Sequence, residues 1–129
     1  MAAVLVPALA SVLAMAVAAP KPVDDADLRC VAAVAAMIGT LDENKADPEV
    51  VSGLTAIFMY YLGKVDARYP GLDYAAILTA LLSAPGYDRQ LPVDLRRCGG
   101  EAEERGAMLK DLGERMKSAV PLNPATRPG

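Results

Sequence analysis

Apolar and polar positions follow one another along most of this chain at a period close to that of an α-helix. The clearest run is 47–69, where Val51, Leu54, Phe58, Tyr61 and Val65 recur at spacings of three and four and so share one helical stripe. Val50, Ile57 and Leu62 widen that stripe into a face broad enough to touch two neighbours. Asp47 as N-cap, Pro48 at the first helical position and Glu49 in the first turn mark where it begins. The pattern predicts the central helix of a small all-α domain. Gly63 marks a point where that helix either continues or ends.

Three further helices are predicted around it. The first covers 26–38, capped by Asp24 or Asp25, with Gly39 as the residue just past its end. Its VAAVAAMI segment is apolar nearly all round, which predicts deep burial. The segment 40–46 reads as a solvated turn, because its acids lack the spacing of a calcium-binding loop. A short helix over 74–82 is capped by Asp73, with Leu72 and Ile77 placed as a hydrophobic staple. After a loop over 83–91, a fourth helix is predicted from near Pro92 to about Ser118.

That fourth helix carries a heptad. Leu95, Ala102, Leu109 and Met116 hold one seam position, and Cys98, Arg105 and Leu112 hold the other. Gly99, Gly106 and Gly113 recur every seven residues beside the seam. Each glycine costs a helix about 1 kcal/mol, so three in register predict close backbone packing against another helix. Glu101 with Arg105, and Asp111 with Arg115, stand four apart as ion pairs. Arg105 is the one charged seam residue, and its stem is expected to pack on the core while its head reaches Glu101.

The N-terminus changes the picture. Residues 1–19 are almost wholly apolar and end in Ala16-Val17-Ala18, the small-x-small pattern of a signal-peptidase site. Residues 1–18 are therefore expected to be removed, leaving a polar leader over 19–25, a helical domain over 26–118 and a proline-rich disordered tail over 119–129. No Lys or Arg stands near Met1, and an uncleaved segment would instead tether a structural protein to a membrane. Export makes the two cysteines, Cys30 and Cys98, a disulfide. A bond needs their Cα atoms within about 7 Å, and both lie early in their predicted helices. The expectation is thus a small bundle of three long helices, running up, down and up, plus a short third helix crossing beneath, stapled by one disulfide at the shared end.

Composition then removes chemistries. The 129-residue chain has no histidine, no tryptophan and one phenylalanine, Phe58. It lacks the commonest general base and metal ligand, and a base to activate a cysteine thiol. A net charge of −3 leaves no electrostatic footprint for nucleic acid. No phosphate-cradling, nucleophile-elbow, metalloprotease or haem motif is present, so no cofactor or metal site is assigned. In Phe58-Met59-Tyr60-Tyr61 the consecutive rings cannot all face one way, which leaves Tyr60, Tyr61 and Arg105 as a candidate interaction surface. These readings predict a non-enzymatic, exported binding or interaction protein, periplasmic or secreted. It would be a monomer or weak homodimer, with a protein partner and no membrane contact after cleavage.

Lys21-Pro22-Val23, Cys30, Asp42-Glu43 ahead of Pro48, Leu62-Gly63-Lys64 and Cys98 follow one another in an order that resembles the small periplasmic acid-stress chaperones of the HdeA type. The resemblance spans about residues 21–98. It implies a disulfide-linked, all-helical protein that binds unfolding clients once acid has loosened it. Without histidine, acid titration falls on the 16 Asp and Glu, and near pH 2–3 the 13 Lys and Arg would leave the domain strongly cationic.

Overall fold

The computed structural model describes residues 24–42 and 44–120. The expected signal peptide and its expected cleavage site, the leader through Val23, Glu43 and the tail from Pro121 lie outside the described residues. The described chain is all-α: α1 (Ala26–Thr40), α2 (Pro48–Arg68), α3 (Tyr74–Leu82) and α4 (Tyr87–Ala119), with no strand among the described residues and a Cys30–Cys98 disulfide.

Aspartates start three of the four helices. Asp25 accepts from the amides of Asp27 and Leu28 at 2.8 and 3.0 Å, Asp47 from that of Glu49 at 2.8 Å, and Asp73 from that of Ala76 at 3.1 Å. α1 continues through Gly39, and its end is closed by the Leu41 amide on the Ile38 carbonyl at 3.1 Å. α2 passes both Gly53 and Gly63 without a break.

α4 departs from expectation at its start. It begins at Tyr87, before Pro92, and its N-cap is Gly86 at φ 81°, a left-handed conformation that suits glycine. Pro92 lies inside the helix and removes one ladder bond there. Local packing offsets that loss: Leu91 is half-buried, Gln90 reaches Asp94, and Asp94 is itself buried. At the other end the helix includes Ala119, which the sequence assigns to the tail.

The hub is α1, not α2. Leu28, Cys30, Val31, Ala32, Ala33 and Val34 are all buried, and α1 packs on each of the other three helices. Of the five-residue stripe read on α2, only Tyr61 and Val65 are buried, while Val51 is exposed. The core is therefore one cluster, Leu28, Cys30, Val31, Tyr61, Val65 and Cys98, with Leu72, Ile77, Leu78 and Leu81 of the α3 region packed against it.

Arginines tie the first turns of α1 to α4. Arg97 reaches the Ala26 carbonyl at the start of α1, whereas Asp94, one turn earlier on α4, takes Arg29, one turn later on α1. Arg29 also lines a hollow with Tyr87 and Gln90, in the first turn of α4. The disulfide joins Cys30 to Cys98, which lies about three turns into α4 rather than in its second turn. Its Cα atoms are 5.6 Å apart.

Candidate functional site

Charged side chains gather around the disulfide where α1, α2 and α4 meet. Lys64 on α2 places its ammonium 2.7 Å from Asp27 of α1 and 2.6 Å from Glu101 of α4, and 5.3 Å from the ring centres of both Tyr60 and Tyr61. One turn on, Arg68 bonds both oxygens of Asp25, at 2.8 and 2.7 Å, and Asp27 at 2.9 Å. Arg29 sends Nε and Nη2 to one oxygen of Asp94, at 3.2 and 3.1 Å, and Asp94 is only 3 % exposed.

Lys64, Glu101 and Asp25 are held in their charged forms. Burial alone would lower the Lys64 ammonium, but its bonds to Asp27 and Glu101 outweigh that and raise it well above its ordinary range. The Lys64 hydrogen bond, acting against burial, holds the Glu101 carboxyl below its usual value. Burial also works against Asp25, and is outweighed by the Leu28 amide and by Arg68, so this carboxyl too is lowered. A lysine held protonated in this way is an ion-pair centre rather than a nucleophile. The arrangement is a clamp joining three helices.

The sequence points only partly to this clamp. Tyr60 and Tyr61 do come together, as an edge-to-face pair 4.9 Å apart. Tyr61 is fully buried and donates to the Cys98 carbonyl at 2.8 Å, so it serves the core rather than a surface. Tyr60 donates to Glu101 at 2.8 Å and belongs to the clamp. Arg105 joins neither: it is exposed, its guanidinium lies 3.8 Å from the Met108 sulfur, and Glu101 is taken by Lys64 instead. The expected Asp111–Arg115 pair does form, at 2.9 Å. Lys64 and Arg68, four apart on α2, with Asp25 and Asp27 at the start of α1, are the sequence signal that would have found the clamp.

Beyond Glu101 and Ala102, α4 leaves the body. From 103 to 119 every residue is exposed except the half-buried Gly113. The heptad continues here without a partner among the described residues: Leu109 is 61 %, Leu112 43 % and Met116 58 % exposed. The predicted close approach at the glycines is not made among the described residues, where a Cβ at Gly99, Gly106 or Gly113 would meet nothing within 4 Å. The result is an apolar helical arm about 26 Å long, 17 residues past Ala102, whose seam is the same stripe that carries the buried Cys98.

A second feature lies beside α3. Arg29, Leu81, Pro85, Tyr87 and Gln90 line a shallow hollow of about 270 Å³. The Tyr87 hydroxyl is buried nearby with no hydrogen-bond partner among the described residues. Among the described residues there is also no acid and cysteine cluster that would hold a metal ion. No protein-family model, curated protein or solved structure matches the chain.

Proposed function

We propose that this chain is an exported, non-enzymatic interaction protein in which a disulfide-pinned body presents the second half of α4 to a protein partner. The observation that carries this reading is the arm itself: a continuous apolar seam, Leu109, Leu112 and Met116, left exposed on a helix otherwise rich in charge. The Cys30–Cys98 bond and the apolar segment ending in Ala16-Val17-Ala18 support export. No helix among the described residues is long and apolar enough to cross a membrane.

Two measurements on material from the exporting host test this. Intact mass should place the mature start at Ala19; retention of residues 1–18 in a membrane fraction favours the tethered alternative. A photo-crosslinker at Leu112 should give a specific adduct that the same group at Ala107, on the opposite face, does not. Equal labelling from both positions, or none from either, would remove the arm from the function.

One observation favours a second reading, an acid-activated chaperone. The clamp that joins α1, α2 and α4 depends on Asp25 and Glu101, carboxylates that acid neutralises, while the disulfide keeps the loosened chain tethered. Suppression of client aggregation at pH 2–3, absent at pH 7, is the expected result; no suppression at pH 2–3 ends that reading.

A further inference from the structure

We infer that α4 is jointed at Gly99-Gly100, and that Glu101, held by Lys64 and Tyr60, is the latch that keeps the joint straight. This goes beyond the reading of the arm as an interaction surface and does not depend on what the arm contacts. Up to Cys98 the helix is fastened to the body repeatedly: Asp94 to Arg29, Arg97 to the Ala26 carbonyl, the disulfide to α1, and the Cys98 carbonyl to the Tyr61 phenol. Past the glycines, Glu101 is the last polar grip on the body among the described residues. It takes the Lys64 ammonium at 2.6 Å and the Tyr60 hydroxyl at 2.8 Å. Later polar side-chain contacts among the described residues all stay inside α4: Arg105 with Met108, Asp111 with Arg115, and Glu114 with Lys117 and Ser118.

The two residues between these fastenings are poorly suited to a rigid rod. Glycine is the weakest helix former apart from proline, and adjacent small residues are among the few causes of sharp helix kinks. Gly99-Gly100 is the only adjacent pair of glycines in the chain. Packing does not account for it, since a Cβ at either position would meet nothing within 4 Å among the described residues. Backbone freedom is then what the pair contributes. The ladder bond that crosses the pair, from the Ala102 amide, ends on the Cys98 carbonyl and shares that acceptor with the Tyr61 phenol. The joint thus sits between a firmly held segment and a single grip. A bend of about 30° there would carry Lys110, about 15 Å further along the helix, through about 8 Å. Any group that competes for Glu101 therefore changes where the apolar arm points.

Pulsed electron–electron double resonance on the full chain tests this, with nitroxides carried on non-cysteine handles so that Cys30 and Cys98 stay bonded. One label sits at Lys110 and the other at Ser52 of α2 or at Ala80 of α3, all exposed positions. The wild type should give one narrow distance distribution for each pair. Glu101→Ala removes the latch and installs the best helix former, so a bend that appears is not due to a weaker helix at that position. It should shift or broaden at least one distribution by about 5 Å or more. Adding Gly99→Ala with Gly100→Ala, for which there is room, should restore the narrow distributions, whereas adding Gly106→Ala with Gly113→Ala should not. Circular dichroism and the count of free thiols should match the wild type throughout. If Glu101→Ala misfolds, Glu101→Gln with Tyr60→Phe, which keeps both shapes and weakens both bonds, is read by the same criterion. Distributions that loss of the latch leaves unchanged overturn the inference. So do a wild type that is already broad, a bend that survives Gly99→Ala with Gly100→Ala, and a bend abolished by Gly106→Ala with Gly113→Ala.

Discussion

The Tyr61 phenol donates to the main-chain carbonyl of Cys98 across 2.8 Å, with both residues out of solvent. α2 therefore grips the backbone of α4 at the residue that the disulfide ties to α1. Tyr61→Phe keeps the ring and removes only the donor, leaving a buried acceptor one partner short. The expected cost is about 1–3 kcal/mol in urea unfolding. Tyr87→Phe removes a hydroxyl that has no partner among the described residues, so it should be neutral or stabilising by up to about 1 kcal/mol. Equal losses from the two substitutions would contradict both placements.

Reduction of the disulfide should destabilise the fold without dissolving its helices. Cys30 and Cys98 are 68 residues apart, and closing a loop of that length removes unfolded-chain entropy worth about 4 kcal/mol. For a domain of this size that lowers Tm by about 15–30 °C. Leu28, Val31, Tyr61 and Val65 still pack α1 on α2, so far-ultraviolet circular dichroism at 20 °C should change little. Paired thermal melts with and without reductant measure it.

Asp94 is the buried half of an ion pair whose partners reach water: Arg29 and Arg97 have side chains 34 % and 41 % exposed. Asp94→Ala should cost about 2–3 kcal/mol, below the ~3–5 of a fully enclosed pair, because the freed guanidiniums can be hydrated. Arg97→Met, which leaves Arg29 on Asp94, should cost under about 1 kcal/mol. Chemical denaturation of the two variants decides the order.

Stability should be flat from about pH 5.5 to 9, since the chain has no histidine to titrate there. Asp25 and Glu101 are held below their unfolded values of 3.8 and 4.5, so their contribution is complete above those values and is lost as pH falls through the lower folded ones. Burial, helped by the nearby Glu101 charge, pushes Tyr61 up from 10.0 to about 12; its contribution is complete below pH 10 and is lost as pH rises through the folded value. Urea midpoints across pH should trace a plateau with two falling limbs. Asp25→Asn with Glu101→Gln should flatten the acid limb. A slope centred near pH 6.5 would contradict this account.

Local signals in the chain located the elements well where a single residue sets a boundary. Asp73 and the Pro85-Gly86 break delimit α3 at both ends, and Asp47-Pro48 opens α2, because caps and breakers act within one turn. Pro92 misled for the same reason: read locally it opens a helix, but Leu91 and Asp94 pack well enough to carry α4 through it. The burial of VAAVAAMI was legible, yet periodicity alone does not rank faces, and the wider stripe of α2 concealed that α1 is the hub. The heptad of α4 was plain, but a seam announces that it wants a partner without saying whether the same chain supplies one. The clamp stayed hidden because Lys64, Asp27 and Glu101 meet only in three dimensions.

The position of the bridge also governs how the molecule wears. Cys30 and Cys98 enclose α2, α3 and the loops on either side of them. A protease that nicks the chain near Asn44 or near Ala84 therefore yields two pieces still joined through sulfur, and the damage stays invisible on a gel run without reductant. A nick past Cys98, by contrast, sheds the arm for good. Cleavage within the bridged span leaves one connected molecule, while cleavage beyond it amputates the helix that reaches outward, so the same enzyme would leave a scar in one place and a stump in the other.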